Sequence, residues 1–190
     1  AALIEFTARG YNATRVEEIA RRAGLSKGGF YAHFSGKDEV FEELLKRSLT
    51  VPALDIDALL EQSRTARDLV EQLLDILYAA LSDPAGMATA RLLLTEGHRL
   101  PDVREVWRKD TNALASQIGT LLRRATARGI CSESIVYHEP WLILAPIAYL
   151  VSRLDILGAR PNLTLRQVRL SHAELLRELL EPRAVKSTRT

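Results

Sequence analysis

The sequence predicts an all-α protein of about nine helices, arranged as a small N-terminal helical domain (residues 1–50) and a larger C-terminal one (51–190). Three observations predict it. Apolar residues recur at helical spacing along almost the whole chain, and no alternating Val/Ile/Thr/aromatic run bounded by turn signals marks a strand. Residues that start and stop helices recur at matching intervals. The stretch from Pro52 to Ser63 breaks the pattern between short, closely spaced helices and longer ones.

The helices are expected near 2–9, 15–22, 27–34, 37–50, 66–82, 84–97, 101–128, 137–157 and 165–181. Thr14-Arg-Val-Glu17 reads as a capping box, in which a hydroxyl accepts from the helix N-terminus and a carboxylate reaches back. Ser26 caps the next helix. Ser35-Gly-Lys-Asp38 and Thr65-Ala-Arg-Asp68 are related patterns. Asp83 precedes Pro84, which has no amide to satisfy in the first turn. Pro101, with Asp102 and Glu105, opens the longest helix, and Gly129 closes it.

Composition narrows the function classes. With 47% hydrophobic and 26% charged residues among 190, the chain has enough apolar surface for a packed core and is not a disordered segment. The longest apolar run, Trp141 to Val151, is too short to cross a bilayer and contains Pro146. Cys131 is the sole cysteine, which fits a reducing, cytoplasmic setting. No signal peptide is visible. The chain starts at Ala1 without a methionine and reads as beginning inside a longer protein. Net charge is only +2, but between Arg9 and Lys37 six basic residues (Arg9, Arg15, Arg21, Arg22, Lys27, Lys37) meet only Glu17 and Glu18. A local basic patch is the footprint of a phosphate-binding surface.

The segment from Thr14 to Phe34 has the construction of a helix-turn-helix. Ala20 is small where two helices must cross closely, and Gly24 permits a left-handed backbone in the turn. Leu25 is expected to point inward, with Phe30 and Phe34 on the buried face of the second helix. Such a unit presents its second helix to the major groove of DNA. Gly10-Tyr11, Thr14, Ile19-Ala20, Ala23-Gly24-Leu25-Ser26-Lys27, Phe30-Tyr31, His33-Phe34 and Lys37 fall in the order and spacing of the DNA-binding domain of the tetracycline-repressor (TetR) family, which residues 1–48 therefore resemble.

The resemblance implies DNA contacts at Thr14 and Arg15, at Ser26 and Lys27 opening the recognition helix, at Tyr31 and His33, and at Lys37. Lys27 suits a guanine edge or a phosphate. Gly28-Gly29 departs from the common pattern, since the second position more often carries Thr, Ser or Ala. Each glycine costs roughly 1 kcal/mol relative to Ala inside a helix, and the pair is expected to let the backbone approach DNA closely. Sequence specificity then rests on Lys27, on Arg15 or on DNA shape.

The resemblance further implies a cytoplasmic, nucleoid-associated homodimeric repressor of bacterial type, released from a palindromic operator by a small, largely apolar effector. The apolar helix at 137–157 and the heptad-like stripe Leu165, Val168, His172, Leu175, Leu176 and Leu179 would form the dimer interface. Tyr78, Met87, Leu94, Trp107, Leu114, Trp141 and Tyr149 are candidate pocket residues, each with plain core packing as the more ordinary alternative. The segment from Leu93 to Trp107 resembles, more weakly, a subtype found among multidrug-efflux and stress regulators. A DNA-organising protein of the same fold without a ligand switch is a second reading. A hydrolase using Glu96 and His98 is a third, but the sequence offers no nucleophile, phosphate loop, cofactor signature or third metal ligand beside that pair.

Overall fold

The computed structural model describes residues 1–48, 51–97, 100–155 and 164–181. Eleven helices and no strand occur among the described residues. In chain order they are α1 (Ala2–Ala13), α2 (Val16–Arg22), α3 (Lys27–Tyr31), α4 (Lys37–Ser48), α5 (Ile56–Gln62), α6 (Ala66–Ser82), α7 (Pro84–Glu96), α8 (Pro101–Ala127), α9 (Ile135–His138), α10 (Trp141–Asp155) and α11 (Leu165–Leu180). No helix among the described residues is long and apolar enough to cross a membrane.

Most local signals act as the sequence suggests. Ser26 accepts from the Gly29 amide at 3.0 Å. Thr65 and Asp68 cap each other's backbone reciprocally at 3.2 and 3.0 Å. Asp83 accepts from the Gly86 amide at 3.0 Å, with Pro84 in the first turn. Gly129, at φ +72°, ends α8, and the Ile130 amide donates back to the Ala125 carbonyl at 3.0 Å. The regular part of α1 ends at Arg9, because Gly10 breaks it with φ +76°.

Other boundaries differ. The Pro52–Ser63 stretch contains α5, whose N-cap Asp55 accepts from the Ala58 amide at 3.0 Å. The single helix expected at 137–157 is α9 and α10, separated around Pro140. The recognition helix stops at Tyr31 rather than near Phe34. The contact expected between Ser35 and Asp38 is made by Glu39 instead, which accepts from both the Ser35 amide (2.6 Å) and its hydroxyl (2.8 Å). Leu25 is 39% exposed rather than inward-pointing, because it follows the left-handed Gly24 in the turn and lies along the side of α3 near Gly29 and not beneath it. The helix expected at 165–181 is α11, ending at Leu180 with Glu181 as its C-cap. His98, the ends of the helices drawn to 50 and 157, and the side chains of Val151 and Leu154 lie outside the described residues.

The chain divides into two compact units, residues 1–51 with 80–110 and residues 52–79 with 111–190. In the first, Phe6 and Tyr11 of α1 meet Phe41 of α4 with ring centroids 5.0 and 4.8 Å apart. Ile19, Ala20, Phe30, Val40 and Leu45 extend this core, and Leu92 and Leu93 of α7 close it. Each fully buried aromatic or Leu contributes about 1.5–3 kcal/mol by leaving water. In the second unit Leu69, Leu73 and Leu74 of α6 are buried, as are Ile118, Leu121 and Leu122 of α8, Ile143 of α10 and Leu176 of α11. Arg169 of α11 anchors to Glu71 (2.9 Å) and Asp75 (2.6 Å) of α6. The Ser132 amide donates to the Leu180 carbonyl at 2.9 Å.

Candidate nucleic-acid interface

The helix-turn-helix is held from beneath by apolar anchors and from the sides by polar ones. Ile19, Ala20 and Phe30 are buried, which fixes α3 against α2. The turn is closed by the Leu25 amide donating to the Ala20 carbonyl at 2.9 Å, while Gly24 adopts φ +73°. Phe34 is half-buried against the same core. The opening of α3 at Ser26, Lys27 and Gly28 is exposed, with Tyr31 and His33 exposed beyond it. At the start of α2, the Glu18 carboxylate accepts from the Arg15 amide at 3.4 Å.

Two residues expected at the DNA surface make contacts within the protein. Thr14 is not the cap of α2: Arg15 occupies that position, and Thr14 is 2% exposed. Its hydroxyl proton is shared between the carbonyls of Gly10 (2.8 Å) and Glu5 (3.1 Å), tying the loop to the end of α1. The Lys37 ammonium turns back to the same place. It donates to the carbonyls of Tyr11 (2.8 Å), Asn12 (3.1 Å) and Thr14 (3.1 Å) and lies 4.6 Å from the Tyr11 ring centroid. An ammonium has three protons, so this cation acts as the cap of α1.

Charge pairing thins the basic patch. Glu5, almost fully buried, accepts from Arg22 of α2 at 2.6 Å and pairs with Arg9 at 3.3 Å. The Arg22 hydrogen bond holds its carboxyl below the ordinary carboxylate range against the opposing effect of burial. Arg9 also pairs with Glu18, and Lys27 with Glu17 at 2.6 Å. Arg15 and Arg21 form no ion pair among the described residues. Sequence reasoning missed Glu5 as a member of this surface, and it counted Glu17 there without its pairing to Lys27. Glu5 carried a signal in its i,i+4 relation to Arg9; Glu17, ten residues from Lys27, carried none.

The candidate pocket residues fall in both units. Met87, Leu94 and Trp107 belong to the first, where Trp107 packs on the core and Leu94 is exposed. Tyr78, Leu114, Trp141 and Tyr149 belong to the second; Tyr78 and Leu114 are buried, Trp141 and Tyr149 exposed. The Tyr78 hydroxyl is 3.1 Å from His172 Nδ1. Burial pushes Tyr78 up to about 12 and His172 down to about 4. Glu96 ends α7, and no group of three potential metal ligands gathers among the described residues. Cys131 is buried, and burial pushes its thiol up to about 11, out of the reactive range.

Residues 1–44 match the family described as "Bacterial regulatory proteins, tetR family". Over 97 residues the chain is 32% identical to the HTH-type transcriptional regulator SrpR of Pseudomonas putida, covering 51% of this chain and 44% of that protein. It is equally identical over 97 residues to the uncharacterized HTH-type transcriptional regulator TtgW, also of Pseudomonas putida, covering 51% of this chain and 69% of that one. The chain thus spans less than half of the first of these relatives. A crystal structure of a transcriptional regulator from Saccharomonospora viridis, in complex with choline, shares the fold with a TM-score of 0.73 at 18% identity, covering 96% of this chain and 94% of that one. The exposed, glycine-rich α3 on its aromatic anchor, and the relative matched over more than two thirds of its own length, place this chain in the tetR family of bacterial regulatory proteins.

Proposed function

We propose that this chain is a dimeric transcriptional repressor that binds a palindromic operator and releases it when a small, largely apolar effector binds. The observation that carries the reading is the presentation of α3. Phe30 is buried beneath it while Ser26, Lys27 and Gly28 stand exposed at the end that enters a major groove. Arg15, Tyr31 and His33 are the accompanying contacts, and Arg15 is free to meet a phosphate or a guanine. Thr14 and Lys37 act from behind, by fixing the end of α1 against the helix-turn-helix.

The second unit supports a dimer. Trp141, Leu142 and Tyr149 of α10 and Leu170 and Leu175 of α11 are all between 42% and 56% exposed. Large apolar side chains gathered on two neighbouring helices mark an association surface. A two-fold pair of recognition helices would read half-sites one or more helical turns apart. The effector site belongs to the same unit, with Tyr78 and Leu114 as its candidate inner residues. As a DNA-bound regulator the protein would act in the bacterial cytoplasm, at the nucleoid.

The test selects bound duplexes from a random library with the whole chain. The expected result is enrichment of a sequence with two-fold symmetry. Failure to enrich any sequence would overturn the regulator reading, and a single unsymmetrical site would overturn the dimer. Displacement of the selected duplex by a panel of small apolar compounds, read by fluorescence anisotropy, tests the effector.

A further inference from the structure

The recognition helix is poor in side chains that can read bases. In Lys-Gly-Gly-Phe-Tyr the phenylalanine is buried, so Lys27 and Tyr31 are the only side chains of α3 that reach out. Lys27 does not stand alone. Its ammonium donates to Glu17 Oε1 at 2.6 Å, and both side chains are more than half exposed, at 62% and 54%. Glu17 lies in the first turn of α2, where the helix dipole favours a carboxylate. The carboxyl is held below its ordinary range, by the hydrogen bond from Lys27 first and then by one from backbone. The ammonium is held above its range by the same hydrogen bond. The exposed opening of the recognition helix therefore carries a cation and an anion side by side.

We propose that Glu17 is a specificity-determining residue, and that Glu17 and Lys27 read one base pair as a unit. The inference rests on the DNA-binding reading above. A phosphate can replace Glu17 as the partner of Lys27, but that leaves a carboxylate unpaired against a polyanion, so non-specific binding is penalised. A major-groove G·C pair offers both groups a partner. Guanine O6 and N7 accept from Lys27, and cytosine N4 donates to Glu17. The pair then opens without leaving either charge unmatched. The two glycines that follow leave room for the base edge to come this close.

The test compares the wild-type chain with Glu17→Gln, Lys27→Met and the double variant, by fluorescence anisotropy. The duplexes are a 30-base-pair random-sequence DNA and the operator selected by the wild-type protein. Glu17→Gln should tighten binding to the random duplex by about 3–10-fold and steepen its salt dependence by about one unit, because Lys27 is released to pair with phosphate. Its affinity for the selected operator should rise less or fall, so the ratio of the two narrows. The double variant should be non-additive on the operator. A Glu17→Gln protein with an unchanged operator-to-random ratio would overturn this inference while leaving DNA binding intact. A wild-type protein that selected no operator and did not bind the random duplex would overturn the DNA-binding reading itself.

Discussion

Thr14 shows how one side chain can support a binding surface from beneath it. Its hydroxyl donates to both the Gly10 and Glu5 carbonyls, and it is buried while doing so. Thr14→Val keeps the shape and removes a donor that bonds the Gly10 and Glu5 carbonyls. The expected loss is about 1–3 kcal/mol of stability, read by urea unfolding. An unchanged midpoint would mean that water replaces the hydroxyl. Lys37 works on the same helix end from the other side, donating to the Tyr11, Asn12 and Thr14 carbonyls.

At the level of the element, α3 is a five-residue helix with two glycines and one side-chain cap. The two glycines are not equivalent. A methyl group at Gly28 would meet only Ser26 Oγ, at 3.9 Å. At Gly29 it would lie 3.3 Å from the same oxygen, the one that accepts the Gly29 amide. Gly28→Ala should therefore stabilise the unit by about 0.5–1 kcal/mol in urea unfolding. Gly29→Ala should gain less, because Ser26 must shift by a few tenths of an ångström and strain its own cap. A larger gain at 29 than at 28 would show that the cap tolerates the methyl. Should Gly29→Ala also leave operator affinity unchanged, close backbone approach at that position would not contribute to binding.

For the whole molecule, acid is the informative stress, because the two units respond in different windows. His172 in the second unit is held neutral by burial, with its side chain reaching about 4 against 6.5 when free. As pH falls below 6.5 the unfolded chain binds a proton that the folded one refuses until about 4. Stability is therefore full above about 6.5 and falls progressively towards 4, by up to about 3 kcal/mol in total. Nε2 of His172 has no partner among the described residues, which adds to the cost of the buried ring. His172→Leu should flatten the unfolding free energy between pH 6.5 and 4; an equally steep fall in this variant would assign the acid sensitivity elsewhere. Glu5 in the first unit acts lower, below its ordinary 4.5, where protonation dismantles its pairs with Arg22 and Arg9.

The sequence by itself determined the helical class, the helix-turn-helix with its family, and most helix ends. These depend on interactions within one turn: Ser26 reaching the Gly29 amide, Thr65 with Asp68, Asp83 reaching Gly86, and a left-handed backbone that Gly24 and Gly129 adopt without strain. Three or four residues suffice to encode such contacts. The tertiary structure alone decided which members of the basic patch remain free. Lys27 meets Glu17 across the turn, Arg22 meets Glu5 across two helices, and Lys37 returns to the end of α1. It also decided that residues 80–110 join the first unit, with Leu92 and Leu93 completing a core begun by Phe6. Partners ten to more than eighty residues apart carry no local pattern. A charged side chain looks the same in sequence whether it faces DNA or a carboxylate, and only the approach of the second helix settles which.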